Sequence, residues 1–190
     1  MKRSRTRTAA STTSIRALYE RHGAAAYYRK HGDLYRNPHE RIIGELLGRA
    51  MAAWVLRPGR TLDLACGSGE VTIALQRLGF ARIDGIDPHT AESYRARTGR
   101  EAERGTFEQI AAGALSGRRY DLIVCSFALH LVEPSRLPLL FVRLREISET
   151  LLVLTPHKRP QVKSGTGWRQ LAEILHERVR ARLYTVEPVL

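Results

Sequence analysis

The 190-residue sequence holds only two cysteines, Cys66 and Cys125. Neither has a second cysteine or a histidine at the spacing that zinc sites use, so no metal is expected. Both lie in apolar surroundings, where a reduced, buried thiol is usual and a cytoplasmic setting follows. No apolar run approaches the roughly 20 residues of a membrane-spanning helix, and no membrane partner is expected. The N-terminus has basic residues but no apolar stretch behind them, which argues against a secretory signal. Acid is missing there too. None precedes Glu20, and the segment is rich in Arg, Ser and Thr, a composition that also suits an organelle transit peptide.

What is present is a foldable chain with lopsided charge. Hydrophobic residues make up 43%, too many for a disordered polyelectrolyte. The length suffices for one α/β domain. Of the net charge of +12, residues 1–60 carry +9, from 13 basic and 4 acidic side chains. Residues 61–190 are nearly balanced, with 18 and 15. Attraction to a polyanion such as RNA is one meaning of that basic third. A solvated tail followed by amphipathic helices with outward arginines is the other.

Residues 1–13 have no apolar period and are expected to be a disordered basic tail. Residues 14–60 read as a helical cap. Its second helix, with Pro38 at the first helical position after Asn37, carries Ile42, Ile43, Leu46, Leu47, Ala50 and Trp54 at spacings of three and four. From residue 61 the pattern alternates strand and helix. Strands are expected at 61–65, 81–87, 120–126, 150–155 and 178–186, with at most a short one at 105–107. Helices are expected at 69–79, 90–99, 134–147 and 167–177, with a short one after Phe107. The alternation predicts a doubly wound, mostly parallel sheet of about six strands with helices on both faces. The last segment alternates Val179, Ala181 and Leu183 with Arg178, Arg180 and Arg182, as an antiparallel edge strand does.

The segment TLDLACGSGE (61–70) places a glycine-bearing turn between a strand and a helix. Gly67 and Gly69 allow a sharp turn and close approach to a ligand, and the helix start offers N–H donors. In such sheets ligands bind at the carboxyl ends of the strands. A dinucleotide fingerprint fails, because its third glycine position is Thr72.

LDLACGSG resembles motif I of class I S-adenosylmethionine-dependent methyltransferases, with Asp63 as the acid and Ala65 in place of the first glycine. The resemblance covers residues 61–155. It implies a Rossmann-like fold, S-adenosylmethionine as cofactor and methyl transfer as activity. It makes Asp87, at the end of strand two, the acceptor for the ribose hydroxyls, with Asp84 a mid-strand competitor. Phe107 falls where the family contacts adenine, or is simply core. YDLIVCSFALHLV resembles the family's motif IV and puts Ser126 beside the transfer centre. Its SFAL replaces the Asn/Asp-Pro-Pro-aromatic signature, which disfavours exocyclic base nitrogens as acceptors. Tyr28, Tyr35, Arg36, Asn37 and His39 stand where the family often has an N-terminal lid, or else pack helix on helix.

A proton acceptor suits methyl transfer, and histidine is poised for it near neutral pH. His130 follows strand four, and His157 follows strand five with Lys158 and Arg159 behind it. His157 as base and the two cations as anchors suggest an anionic or aromatic acceptor, with RNA the other candidate. Packing for His130, and an exposed stiff loop for residues 156–160, are the plain alternatives. Two other functions fit the same sheet. One is a non-catalytic or RNA-associated S-adenosylmethionine-binding module. The other is a nicotinamide-dependent oxidoreductase.

Overall fold

The structure is a computed structural model that describes residues 36–54, 56, 58–159, 162 and 165–187. The expected tail, Tyr28 and Tyr35 lie outside the described residues. Helix α1 (Glu40–Ala53) is followed by β1 (Thr61–Leu64), α2 (Glu70–Arg77), β2 (Ile83–Ile86), α3 (Ala91–Thr98) and β3 (Ala102–Glu103). Then come α4 (Phe107–Ala111), β4 (Leu122–Ser126), a 3₁₀ turn (Leu129–Leu131), α5 (Leu137–Ile147), β5 (Thr150–Thr155), β6 (Trp168–His176) and β7 (Val179–Val186). The sheet order is β3-β2-β1-β4-β5-β7-β6. The first five strands run parallel, β7 runs antiparallel to β5, and β6 antiparallel to β7.

The central strands are buried on both faces, which explains their unbroken apolar runs. Ile123, Cys125, Leu151 and Val153 meet Leu140, Phe141 and Leu144 of α5 on one side. Leu122, Val124, Leu152 and Leu154 meet Ile43, Leu46 and Leu47 of α1 and Leu75 of α2 on the other. The order reverses between β1 and β4, so the switch point of this sheet lies at the carboxyl end of β1. Among the described residues no helix is long and apolar enough to cross a membrane.

Four expectations need correction. The sheet has seven strands. The segment expected as a helix at 167–177 is the strand β6, and β6 rather than β7 forms the edge. The cause is a bulge. Gln170 pairs with Tyr184 and Ala172 with Leu183, which leaves Leu171 as the extra residue. The shift breaks the period of two and leaves Trp168, Leu171, Ala172 and Leu175 at helical spacing. The β6–β7 turn is hidden as well. Glu177 and Arg178 take positive φ, 45° and 65°, where Asn-Gly is the usual signal. Third, β3 is Ala102–Glu103, not 105–107. Thr106 instead caps α4 in a reciprocal box with Gln109. Fourth, α1 begins at Glu40, and Pro38 lies in the turn before it rather than in the helix.

Candidate functional site

A cleft of about 250 Å³ opens at the carboxyl ends of β1, β2 and β4. The turn after β1 builds its floor. Ala65, Gly67 and Gly69 all take left-handed φ, at 57°, 54° and 91°. Gly69 is doubly required, since a Cβ there would stand 2.4 Å from Thr98 Cγ2. Ala65 holds the one non-glycine conformation in this turn, at a cost of about 1–2 kcal/mol. Ala65→Gly removes that strain, and the entropy lost on ordering glycine offsets part of the gain. A net stabilisation of roughly 0.5–1 kcal/mol is expected by thermal melting. A lower melting temperature would show that the alanine methyl packs usefully.

Asp63 lies buried in the cleft wall. Its Oδ2 accepts from the Thr72 backbone N–H at 3.1 Å and from the Thr72 hydroxyl at 2.7 Å. Its Oδ1 is buried with no hydrogen-bond partner. Burial pushes the carboxyl up to about 7, the bonds from Thr72 oppose this, and the charges of Glu70 and Asp87 add to it. Burial likewise raises the Cys66 thiol in the same wall.

Asp87, next along the cleft, binds the loops on either side of it. Its Oδ2 accepts from the Gly67 N–H at 3.2 Å, and its Oδ1 from the N–H groups of His89 at 2.8 Å and Thr90 at 3.1 Å. Three of about four acceptor positions are thereby filled, leaving one on Oδ2. Asp84 is not in the wall, and pairs instead with Arg60 at 2.8 Å. Phe107 and Ser126 both line the cleft, and the Ser126 hydroxyl is buried without a partner. Phe127 follows at a φ of 53°, a strained conformation of the kind that concentrates at functional sites.

The N-terminal side supplies Asn37, which lines the cleft, and His39, whose ring stacks on Phe127 at 4.8 Å and 15°. Arg36 is exposed and outside the wall. His130 and His157 come together, with ring centroids 4.6 Å apart. Neither lines the cleft, although Leu131, beside His130, does. Loss of water pulls His130 down to about 4, and the His157 ring opposes its protonation further. Lys158 and Arg159 are exposed and outside the wall. The Lys158 carbonyl accepts from Arg182 at 3.2 Å.

Sequence reasoning missed Glu70, Arg97 and Phe127. Glu70 follows Gly69 directly at the start of α2, so a charge in a helix's first turn beside a binding loop was its available signal. Arg97 had none. Among the described residues Glu45, His176 and Glu177 gather donor atoms within 4.8 Å of one another. Arg41 already binds both carboxylates, at 2.6 Å each, which leaves a cation little to gain there.

The family model described as "Methyltransferase domain" matches residues 35–185, most of the chain. This chain belongs to that methyltransferase family. The methyltransferase is 32% identical to an uncharacterized Schizosaccharomyces pombe protein, with 77% of this chain and 76% of that one covered. Magnesium protoporphyrin IX methyltransferase from Synechocystis PCC 6803, solved with bound S-adenosylmethionine, matches with a TM-score of 0.59 at 15% identity, covering 95% of this chain and 100% of that one. The CcbJ methyltransferase from Streptomyces caelestis matches at 0.62 and 12% identity, over 84% and 96%. At these identities both establish the fold. The family makes this an S-adenosylmethionine-dependent methyltransferase and sets aside the oxidoreductase and non-catalytic alternatives. The cleft fits that cation-bearing ligand. It offers a buried, unpartnered carboxylate oxygen on Asp63, a free acceptor position on Asp87, and an unpartnered hydroxyl on Ser126.

Proposed function

We propose that this methyltransferase binds S-adenosylmethionine along the cleft and methylates a small anionic or aromatic acceptor that approaches from the β4–β5 side. The observation that carries this reading is the His130–His157 ring pair, set where the turn after β4 meets the loop after β5, next to cleft residue Leu131. S-adenosylmethionine supplies a methyl group on a sulfonium, open to in-line attack. Asp87 accepts a ribose hydroxyl at its open Oδ2 position. Asp63 Oδ1 receives an N–H donor of the ligand, and Phe107 lies along the adenine. Ala65, Gly67 and Gly69 let the backbone pass close beneath. Ser126, Asn37 and His39 bound the transfer end.

Both residues are exposed, which gives His157 an open route for passing a proton to water. It takes the proton of the acceptor, while His130, uncharged near neutral pH, packs against it without adding charge. Lys158 and Arg159 follow on the same loop and attract an anionic group on the acceptor. With an acceptor identified by transfer of labelled methyl groups, His157→Ala should lower kcat by roughly 10²–10⁴-fold. S-adenosylhomocysteine affinity should not change. A near-normal kcat removes His157 from the role of base.

RNA is the second reading, favoured by the +9 balance of residues 1–60. An RNA acceptor predicts binding that weakens steeply with salt as phosphate contacts are screened.

A further inference from the structure

Glu70, like Asp87, accepts three hydrogen bonds in the cleft wall, but all three meet on one oxygen. Its side chain is 4% exposed. One oxygen, Oε1, accepts from the Asn37 backbone N–H at 3.0 Å, from the Ser68 hydroxyl, and from Arg97 Nη1 at 2.8 Å. Arg97 comes from the last turn of α3 and is 13% exposed. Its Nη1 also reaches the Ser68 carbonyl at 3.1 Å, and its Nη2 reaches Glu40 Oε1, at the start of α1, at 2.6 Å. One guanidinium thus ties the glycine turn, α3 and the beginning of α1 together.

This bonding fixes the short segment from Asn37 to His39. Asn37 is held in the cleft wall by its own N–H. Its Oδ1 accepts from the His39 N–H at 2.9 Å, and the His39 ring rests on Phe127. The cleft has two ends. The sheet order β3-β2-β1-β4 separates them: Gly105, Thr106 and Phe107 follow β3, beyond Asp87 after β2, whereas Ser126 ends β4 and Asn37 bonds to Glu70 after β1. A ribose at Asp87 with adenine toward Phe107 sends the amino-acid part of the cofactor toward Asn37.

We propose that Arg97 and Glu70 are positioning residues for the methyl-donor site, holding Asn37 and His39 against one end of the cleft and thereby setting affinity for the amino-acid tail of the cofactor rather than for its adenosine. The proposal rests on the cleft being the S-adenosylmethionine site. Arg97 also answers an electrostatic need. Asp63, Glu70 and Asp87 crowd one turn, and a buried carboxylate without its cation is strongly disfavoured. Arg97 sits 2.8 Å from the Glu70 oxygen that holds Asn37, so the cation and the Asn37 N–H meet on the same acceptor. Charge-assisted bonds of this kind are about twice as strong as neutral ones, enough to order a short segment.

The test is calorimetric titration of the full chain with two ligands, S-adenosylhomocysteine and 5′-methylthioadenosine, which lacks the amino-acid tail. Arg97→Met should raise the Kd for S-adenosylhomocysteine about tenfold, and Glu40→Gln, which loses only the outer ion pair, about threefold. Binding of 5′-methylthioadenosine should stay within about twofold in both. If Arg97→Met does not fold, Glu40→Gln carries the test alone, since the Glu40 side chain is 41% exposed and its loss leaves no buried charge behind. Equal losses for both ligands, or no loss for either, would overturn the proposal. Failure of the unaltered protein to bind either ligand would overturn the assignment of the cleft itself.

Discussion

Asp87→Ala is expected to weaken S-adenosylhomocysteine binding by about 1.5–3 kcal/mol, the usual worth of a hydrogen bond to a charged acceptor. That is roughly a ten- to hundredfold rise in Kd. Two losses contribute. The ribose loses its acceptor, and the N–H groups of Gly67, His89 and Thr90 lose theirs. The second loss also loosens the glycine turn, so the melting temperature should fall. Asp87→Asn separates the two. Its carbonyl retains the bonds to His89 and Thr90, while its amide faces Gly67 N–H and has no acceptor to offer the ribose. The asparagine variant should therefore melt closer to the parent than the alanine variant and yet bind about as weakly. Full affinity in a folded asparagine variant would place the ribose elsewhere.

Asp63→Asn should have opposite effects on stability and binding. The carboxyl titrates near 7 in the folded chain, against an ordinary value of 3.8. Between those pH values the folded state holds a proton that the unfolded state has released. Stability therefore falls as pH rises through this window, by up to about 4 kcal/mol, and levels off above it. Asparagine is neutral throughout. The variant should lose this pH dependence and melt higher than the parent at pH 8. Binding should suffer, because Oδ1 is the buried acceptor that a ligand N–H would meet, and about 1.5–3 kcal/mol is at stake. In the parent, S-adenosylhomocysteine should bind more tightly at pH 8 than at pH 5.5, since the carboxylate must be ionised to attract a cation. A parent melting curve that does not move between pH 5 and 8 would contradict the burial argument.

The parts of this protein legible in its sequence are those where local chemistry and tertiary role agree. TLDLACGSGE combines a buried strand, positive-φ glycines and a helix start, and the structure puts all three at the cleft. YDLIVCS reads as a buried strand because both faces are covered. The β6 segment was not legible, because the bulge at Leu171 turns a strand's alternation into a helix's spacing. Strong helix formers such as Gln170, Ala172 and Glu173 then agree with the wrong answer. The Glu177–Arg178 turn gave no warning, having neither glycine nor asparagine. Arg97 was invisible for another reason. Its partners Glu70 and Glu40 lie 27 and 57 residues away, and only the fold brings them together. The histidines illustrate a limit of position alone. His130 and His157 meet as their places after β4 and β5 suggest, but Lys158 and Arg159 are exposed and are not part of the cleft wall.

A crystal structure of the full chain with S-adenosylhomocysteine decides whether the cleft is the methyl-donor site. A ribose hydroxyl should lie within hydrogen-bond distance of Asp87 Oδ2, adenine beside Phe107, and a ligand nitrogen at Asp63 Oδ1. The sulfur should lie toward Ser126, on the side facing His130 and His157. A ligand seated away from the turn between Asp63 and Gly69, or bound there with its ribose remote from Asp87, would contradict that assignment.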